Sequence, residues 1–167
     1  QGVLLPFRPA TDRGRQRTES SMRIYLDCCC LQRPHDDQKQ PRIRVETEAV
    51  MAVLASVQSG DVTLLNSEAL DYELSRIPDA ARRNEAMELL SLAAERLVIT
   101  REMEIMSDLL EKDGIPAMDA VHLAMASCAG ADFFVTCDDK LLRKSRVSTH
   151  PKCQVAPLLS IIAEILK

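Results

Sequence analysis

Short apolar runs alternate with longer amphipathic stretches along most of the chain, and this alternation limits the fold more than any other feature. The intervening stretches space their apolar residues as helices do, and several end at glycine or proline. Strands that alternate with helices are typical of α/β domains, so we predict a parallel sheet with helices on both faces. The predicted strands are 22–27, 61–67, 97–100, 132–136 and a last short strand in the segment that begins QVAP.

The predicted helices lie between these strands and after the last one. Residues 31–41 are polar and contain two prolines, so a loop is predicted there. The three adjacent cysteines 28–30 follow the first strand directly. If they continue the strand, their side chains alternate between its faces and cannot easily share one metal ion. The predicted helices are 42–60, 68–77, 79–95, 101–114, 116–130, a short helix or turn at 138–144, and a C-terminal helix.

Length and charge set further bounds. The chain has 167 residues, which suits one domain, and a net charge of −4, which argues against passive coating of nucleic acid by a basic surface. No apolar run approaches the roughly 18 residues of a membrane span, so no membrane association is expected. The six cysteines show no C-x-x-C spacing and several lie in apolar runs, which fits a reducing cytoplasm.

The first 21 residues differ in composition from the rest. They contain four arginines, no lysine and no clear periodicity. They also lack an apolar core long enough for a secretory signal. We predict that 1–21 is a disordered leader or a non-native extension, that Met22 is the natural first residue, and that 22–167 is the folded domain.

Acidic residues follow several of the predicted strands. Asp27 ends the first strand, and Asp138 and Asp139 follow the fourth. Glu73 lies in the helix after the second strand, and Asp119 lies in the first turn of a helix. Ligands of open α/β sheets bind at the carboxyl ends of the strands, so these side chains could converge. Converging carboxylates repel one another unless a hard cation such as Mg²⁺ or Mn²⁺ lies among them.

Four motifs together resemble the PIN-domain family over about residues 22 to 160. They are IYLDCCCLQRP, LLNSEALDYELSR, AMDAVHLAMA and GADFFVTCDDKLLRK, of which the last two are the most specific. The family consists of metal-dependent ribonucleases, many of which are VapC-type toxins of toxin–antitoxin pairs. The resemblance therefore implies a three-layer α/β/α sandwich with a central parallel sheet of four to five strands, and a Mg²⁺ or Mn²⁺ site.

The resemblance also implies which residues form the site. The family's four acids correspond to Asp27, Glu73, Asp119 and Asp138, which would be both metal ligands and catalytic residues. Three of these positions have alternatives or neighbours to weigh. Glu68 and Asp71 compete with Glu73, Asp139 competes with Asp138, and His122 could be a ligand but is more often a packed neighbour. Basic residues that flank the acids could contact RNA phosphates, although such residues are often only solvated: Arg33, Lys140, Arg143 and Lys144.

The predicted function is Mg²⁺- or Mn²⁺-dependent hydrolysis of RNA phosphodiesters by a cytoplasmic toxin of a type II toxin–antitoxin pair. An antitoxin protein and a homodimer are the partners that the resemblance implies. One departure motivates an alternative: Cys28 and Cys29 stand where the family often has hydroxyl or amide side chains. The alternative is a weakly active or inactive PIN-like module that binds RNA or a partner. A thiol-based metal or redox protein built on Cys28, Cys29 and Cys30 is a third, less favoured reading.

Overall fold

The computed structural model describes residues 21–167, and these residues form one parallel sheet covered by helices. The predicted leader lies outside the described residues except for Ser21, whose hydroxyl lies 2.6 Å from that of Thr63. The strands are β1 (Met22–Leu26), β2 (Val62–Ser67), β3 (Glu95–Leu97), β4 (Phe133–Thr136) and β5 (Gln154–Pro157). The helices are α1 (Cys28–Gln32), α2 (Pro41–Ser59), α3 (Glu68–Ser75), α4 (Ala80–Leu90), α5 (Arg101–Lys112), α6 (Ala117–Cys128), α7 (Asp139–Val147) and α8 (Leu158–Ile165).

The sheet has five parallel strands in the order β3-β2-β1-β4-β5. Helices α2 and α8 pack together in one layer, and α5 and α6 pack together in the other. This confirms the predicted α/β/α sandwich. The central strand explains the sequence pattern, because Ile24, Tyr25 and Leu26 are all fully buried. A strand covered on both faces reads as a continuous apolar run rather than as an alternation.

The strand order creates a crevice at the carboxyl ends of β1 and β4. The chain runs outward from β1 through β2 to β3, and then returns to the other side of β1 to form β4 and β5. Connections on the two sides of β1 therefore lead in opposite directions. Such a reversal leaves a gap between the loops that follow the two strands, which is the usual ligand position in open α/β sheets.

Three local predictions were wrong. The segment after β1 is not a continued strand and loop, because Cys28–Gln32 forms a helix that Arg33–His35 extends as one 3-10 turn. The carboxylate of Asp27 caps this helix by accepting from the Cys28 amide, which turns the chain out of the sheet. The third strand is 95–97 rather than 97–100, and the helix before it ends at Leu90 instead of reaching 95.

Among residues 21–167, no helix is both long and apolar enough to cross a lipid bilayer.

Candidate functional site

Asp27 lies at the centre of the sheet edge, directly after β1, and only 6% of it is exposed. Its Oδ1 accepts a hydrogen bond from the Cys28 amide, at 2.8 Å. Its Oδ2 accepts one from the hydroxyl of Thr136, also at 2.8 Å. Thr136 is the last residue of β4, so the neighbouring strand holds the carboxylate in place. Asp27 is thus positioned rigidly, with its orientation set from both sides of the crevice.

Glu73 approaches Asp27 from helix α3. One oxygen or nitrogen atom from each of Asp27, Glu73 and His122 lies within 4.8 Å of the others. The rivals of Glu73 point elsewhere: Glu68 accepts from the amide of Ile99, and Asp71 pairs with Arg96 beside β3. The structure therefore brings Glu73 to Asp27 and keeps the other two acids of this segment at the edge of the sheet.

A chain of largely buried hydrogen bonds supports Glu73. The Tyr25 hydroxyl lies 2.6 Å from the Ser67 hydroxyl and 2.6 Å from Nδ1 of His122, and Nε2 of His122 lies 3.2 Å from the Glu73 carboxylate. A carboxylate can only accept, so Nε2 donates to Glu73, and in the neutral ring Nδ1 then accepts from Tyr25. Burial raises the pKa of Tyr25 well above its usual value, so its hydroxyl keeps its proton. His122 thus orients Glu73 through its buried ring.

Two further acids, Asp119 on α6 and Asp138 before α7, lie near enough to Asp27 and Glu73 for their charges to act within the group. Asp119 lies in the first turn of α6, after Pro116, which offers no side chain to cap the helix. Asp138 caps α7 by accepting from the amides of Lys140 and Leu141. Its charge is close enough to raise the pKa of Asp119.

Asp139, the alternative to Asp138, is directed away from the acidic site. Both of its oxygens bond to the guanidinium of Arg42 on α2, at 2.7 and 2.9 Å. This ion pair lowers the pKa of Asp139. The structure therefore brings Asp138 to the acidic site and uses Asp139 to join α7 to α2.

The acidic site holds carboxylates close enough together to disfavour one another's charged forms. Burial raises the pKa of Asp27 well above its ordinary value, and the neighbouring Cys29 and the carboxylates of Asp119 and Glu73 raise it further. Burial also raises the pKa of Asp119, followed by the charge of Asp138. Carboxylates with raised pKa values are held together against their mutual repulsion, which a bound cation would relieve. Their oxygens suit a hard cation.

The two cysteines that depart from the PIN pattern both touch the acidic site. Cys28 is buried, and its sulfur accepts from the Gln32 side chain. Burial raises its pKa to about 12, so it remains a neutral thiol. The sulfur of Cys29 lies 3.5 Å from Oδ2 of Asp27 and 3.5 Å from the Thr136 hydroxyl. Cys29 therefore stands at a position where the PIN pattern often has a hydroxyl or amide side chain. Its sulfur contacts Asp27 and Thr136 at longer distances than the 2.8 Å hydrogen bond between those two residues.

The predicted phosphate contacts divide into two groups. Arg33 is largely buried and bonds to Asp36 at 2.8 Å, with Glu46 3.5 Å away. Its guanidinium joins the 3-10 turn after α1 to α2 and is poorly placed to meet a polyanion. The remaining three lie exposed on α7, beyond Asp138: Lys140, Arg143 and Lys144. Their contact with RNA remains a prediction.

Sequence reasoning missed the residues that hold the acids in place. Thr136 was read only as the end of a strand, yet it bonds Asp27. Ser67 caps helix α3 by accepting from the Leu70 amide. It also contacts Tyr25, a residue that the pattern marked only as part of a strand. The available signal was that each of these hydroxyls stands on a predicted strand, and that Ser67 and Thr136 are the last residues of theirs.

Removal of the Tyr25 hydroxyl should destabilise the fold. In Tyr25→Phe protein, His122 Nδ1 and Ser67 lose a buried partner, so we expect the free energy of unfolding to fall by about 1–3 kcal/mol. Tyr72→Phe is the matched control: Tyr72 is 55% exposed and should change stability by less than about 0.5 kcal/mol. Urea denaturation measures both, and equal effects would contradict the proposed hydrogen-bond chain.

Fold and site together define a class of protein: an α/β/α domain with clustered carboxylates at the point where its sheet order reverses. No protein-family model and no curated protein matches the sequence. Several solved structures match the fold, and three of them illustrate the likeness. VapBC2 from Rickettsia felis, bound to a DNA fragment from its promoter, has a TM-score of 0.53 and 14% identity, over 81% of this chain and 98% of that one.

PAE2754 from Pyrobaculum aerophilum has a TM-score of 0.52 and 15% identity, over 87% of this chain and 96% of that one. VapBC-1 from nontypeable Haemophilus influenzae has a TM-score of 0.52 and 16% identity, over 83% of this chain and 99% of that one. At such identities the likeness concerns the fold alone. It confirms that this chain has a VapC-like PIN-domain fold.

Proposed function

We propose that this protein is a Mg²⁺- or Mn²⁺-dependent endoribonuclease. The proposal rests on the close approach of Asp27 and Glu73 at one crevice, and on the charges of Asp119 and Asp138, which are near enough to raise pKa values within this group. Asp27, Glu73, Asp119 and Asp138 would hold the cation. When bound, the cation would polarise the phosphoryl oxygens and lower the pKa of an attacking water.

The residues around this cluster would carry out the remaining tasks. Thr136 and the Cys28 amide orient Asp27, and His122 orients Glu73. Asp138 is exposed and Asp119 is half-buried, so the site opens to solvent on the α7 side. An RNA strand would enter there, with its phosphates against the exposed basic residues of α7. No nucleophilic side chain is required, because water is the nucleophile.

The partner that we propose is an antitoxin protein. Two of the fold neighbours are VapBC proteins, and the sequence motifs resemble VapC-type toxins. Such a partner would cover the acidic site with one of its segments. The setting that fits a toxin acting on RNA, and the reduced cysteines, is the cytoplasm. A homodimer is a further proposal that rests on the family resemblance.

An RNA cleavage assay tests this function. Purified protein should cleave members of a defined RNA panel with Mn²⁺ and not with EDTA. Asp119→Asn should lower the rate by about 10³-fold, since loss of a metal ligand removes several kcal/mol of transition-state stabilisation. Asp139→Asn is the matched control. The Asp139 carboxylate bonds Arg42 on α2, so the variant should retain nearly full activity.

The outcomes separate the proposal from its alternative. Equal cleavage by wild type and Asp119→Asn would contradict the nuclease assignment. Mn²⁺ binding without any cleavage would favour the weakly active RNA-binding or docking module. The long contacts of Cys29 with Asp27 and Thr136 are the observation that favours this alternative. Restoring a hydroxyl with Cys29→Ser should then increase cleavage.

A further inference from the structure

A second cluster of possible metal ligands lies beside the acidic site and consists only of sulfur. The sulfur atoms of Cys29, Cys30 and Cys137 all lie within 4.8 Å of one another. Those of Cys30 and Cys137 are 3.6 Å apart. Cys30 and Cys137 are buried, whereas Cys29 is partly exposed, so the cluster has one route to solvent. We call these three residues the thiol cluster.

Helix α1 is what makes this cluster possible. Because the chain turns into a helix at Cys28, the side chains of Cys29 and Cys30 no longer project from opposite faces of a strand. Both reach Cys137, which follows β4 and donates its amide to the sulfur of Cys29, at 3.3 Å. Cys28 points away from the cluster and bonds Gln32. The third sulfur therefore comes from the segment directly after β4, and the CCC motif contributes the other two.

We propose that Cys29, Cys30 and Cys137 bind a soft, thiophilic cation, Zn²⁺ or Cu⁺, at a site distinct from the carboxylates. Metal–sulfur bonds of about 2.3 Å place the sulfurs of a trigonal or tetrahedral site about 3.8–4.0 Å apart. The thiol cluster is close to this spacing without bridging by a disulfide. Thiolate ligands select such cations, whereas the neighbouring carboxylates select Mg²⁺ or Mn²⁺.

Cys29 joins the two sites. Its sulfur contacts both Asp27 and Thr136, so a cation that draws this sulfur toward Cys30 and Cys137 also changes the surroundings of Asp27. The thiol site would in addition tie α1 to the segment after β4. Binding at the thiol cluster does not depend on the proposed nuclease activity, and it is measured without RNA.

Titration with Cd²⁺ tests the thiol site, because cadmium–thiolate bonds absorb in the ultraviolet and cadmium–carboxylate bonds do not. The full chain, kept reduced with a phosphine, should take up one equivalent of Cd²⁺ with saturating absorption. Excess Mg²⁺ should leave this absorption unchanged. Zn²⁺ and Cu⁺ in separate competition arms should each displace Cd²⁺, and their relative strength identifies the preferred cation.

The variants locate the ligands. Cys137→Ala and Cys29→Ser should each weaken Cd²⁺ binding by at least about 100-fold, and thermal unfolding verifies that each variant is folded. Cys29→Ser tests a partly exposed position, so it remains informative if Cys137→Ala fails to fold. Cys28→Ala and Cys128→Ala are matched controls that should bind normally. Absence of saturable absorption, normal binding by Cys29→Ser, or loss of binding in Cys28→Ala would overturn the assignment.

Discussion

In Asp27→Asn protein, Mn²⁺ binding should weaken by at least about 100-fold, and RNA cleavage should fall by about 10³-fold. Loss of residues that merely orient metal ligands typically costs 10–100-fold in affinity, so loss of a ligand should cost at least as much. Asp27 is the most central of the four acids and the most buried. Asparagine preserves its size while removing the charge that a hard cation requires.

The same substitution should not unfold the protein. A buried carboxylate with a raised pKa is unfavourable when charged, so a neutral side chain costs nothing electrostatically in the metal-free state. Calorimetric titration with Mn²⁺ measures binding, and thermal unfolding measures stability. Asp61→Asn is the matched control, since Asp61 is exposed just before β2, at the opposite edge of the sheet. Unchanged Mn²⁺ affinity in Asp27→Asn would exclude Asp27 as a ligand.

Asp27 and Asp119 should make the metal-free protein less stable as the pH rises above 3.8, the ordinary pKa of an aspartate carboxyl group. Their folded-state pKa values are raised, so between the unfolded and folded values the folded state binds more protons than the unfolded state. Their stabilising contribution is therefore complete below the unfolded pKa and is lost as pH rises through the folded pKa.

Mn²⁺ should reverse this loss. At a concentration 100 times its dissociation constant, a ligand that binds only the folded state adds about 2.7 kcal/mol to the free energy of unfolding. The increment should be large at neutral pH and should shrink in acid, where protons compete for the carboxylates. Thermal or urea unfolding with Mn²⁺ or EDTA, at pH 5 and pH 7, provides the measurement.

Asp119→Asn isolates the contribution of the acidic site to this pH dependence. Asp36, Asp113 and Asp139 have lowered pKa values and contribute with the opposite sign, but they are common to both proteins. Any difference in pH dependence between wild type and variant should therefore come from Asp119, whose pKa is raised. We expect the variant to lose less stability as the pH rises from the ordinary carboxyl value of 3.8 to neutral, and to gain little from Mn²⁺. An identical pH profile in both proteins would argue against a raised pKa at Asp119.

Most of the strands and helices could be predicted from local patterns. Buried parallel strands read as continuous apolar runs, and helices that cover them read as amphipathic repeats ended by glycine or proline. The weakest predictions were β3 and the helix before it. β3 lies at the edge of the sheet and has only three residues, two of them charged, so it lacks the apolar run that marks a central strand.

The four acids were predicted individually, but their selection among neighbours required the folded chain. Glu68, Asp71 and Glu73 share one helix, and Asp138 and Asp139 are adjacent. Only the packing against β3 occupies Glu68 and Asp71, and only the position of α2 places Arg42 against Asp139. A local pattern contains no information about these distant partners.

The cysteine triplet separates the two kinds of information most clearly. The sequence by itself determined that an apolar strand ends next to Asp27, because the apolar run of Ile24, Tyr25 and Leu26 gives way there to a charged residue. It left open whether the next residues continue the strand or turn into a helix, because three cysteines favour neither state strongly; the structure shows a helix capped by Asp27. Only the tertiary structure placed Thr136 and Cys137 beside them. Those residues are more than 100 positions away, and it is strand pairing that joins them to Asp27 and Cys29.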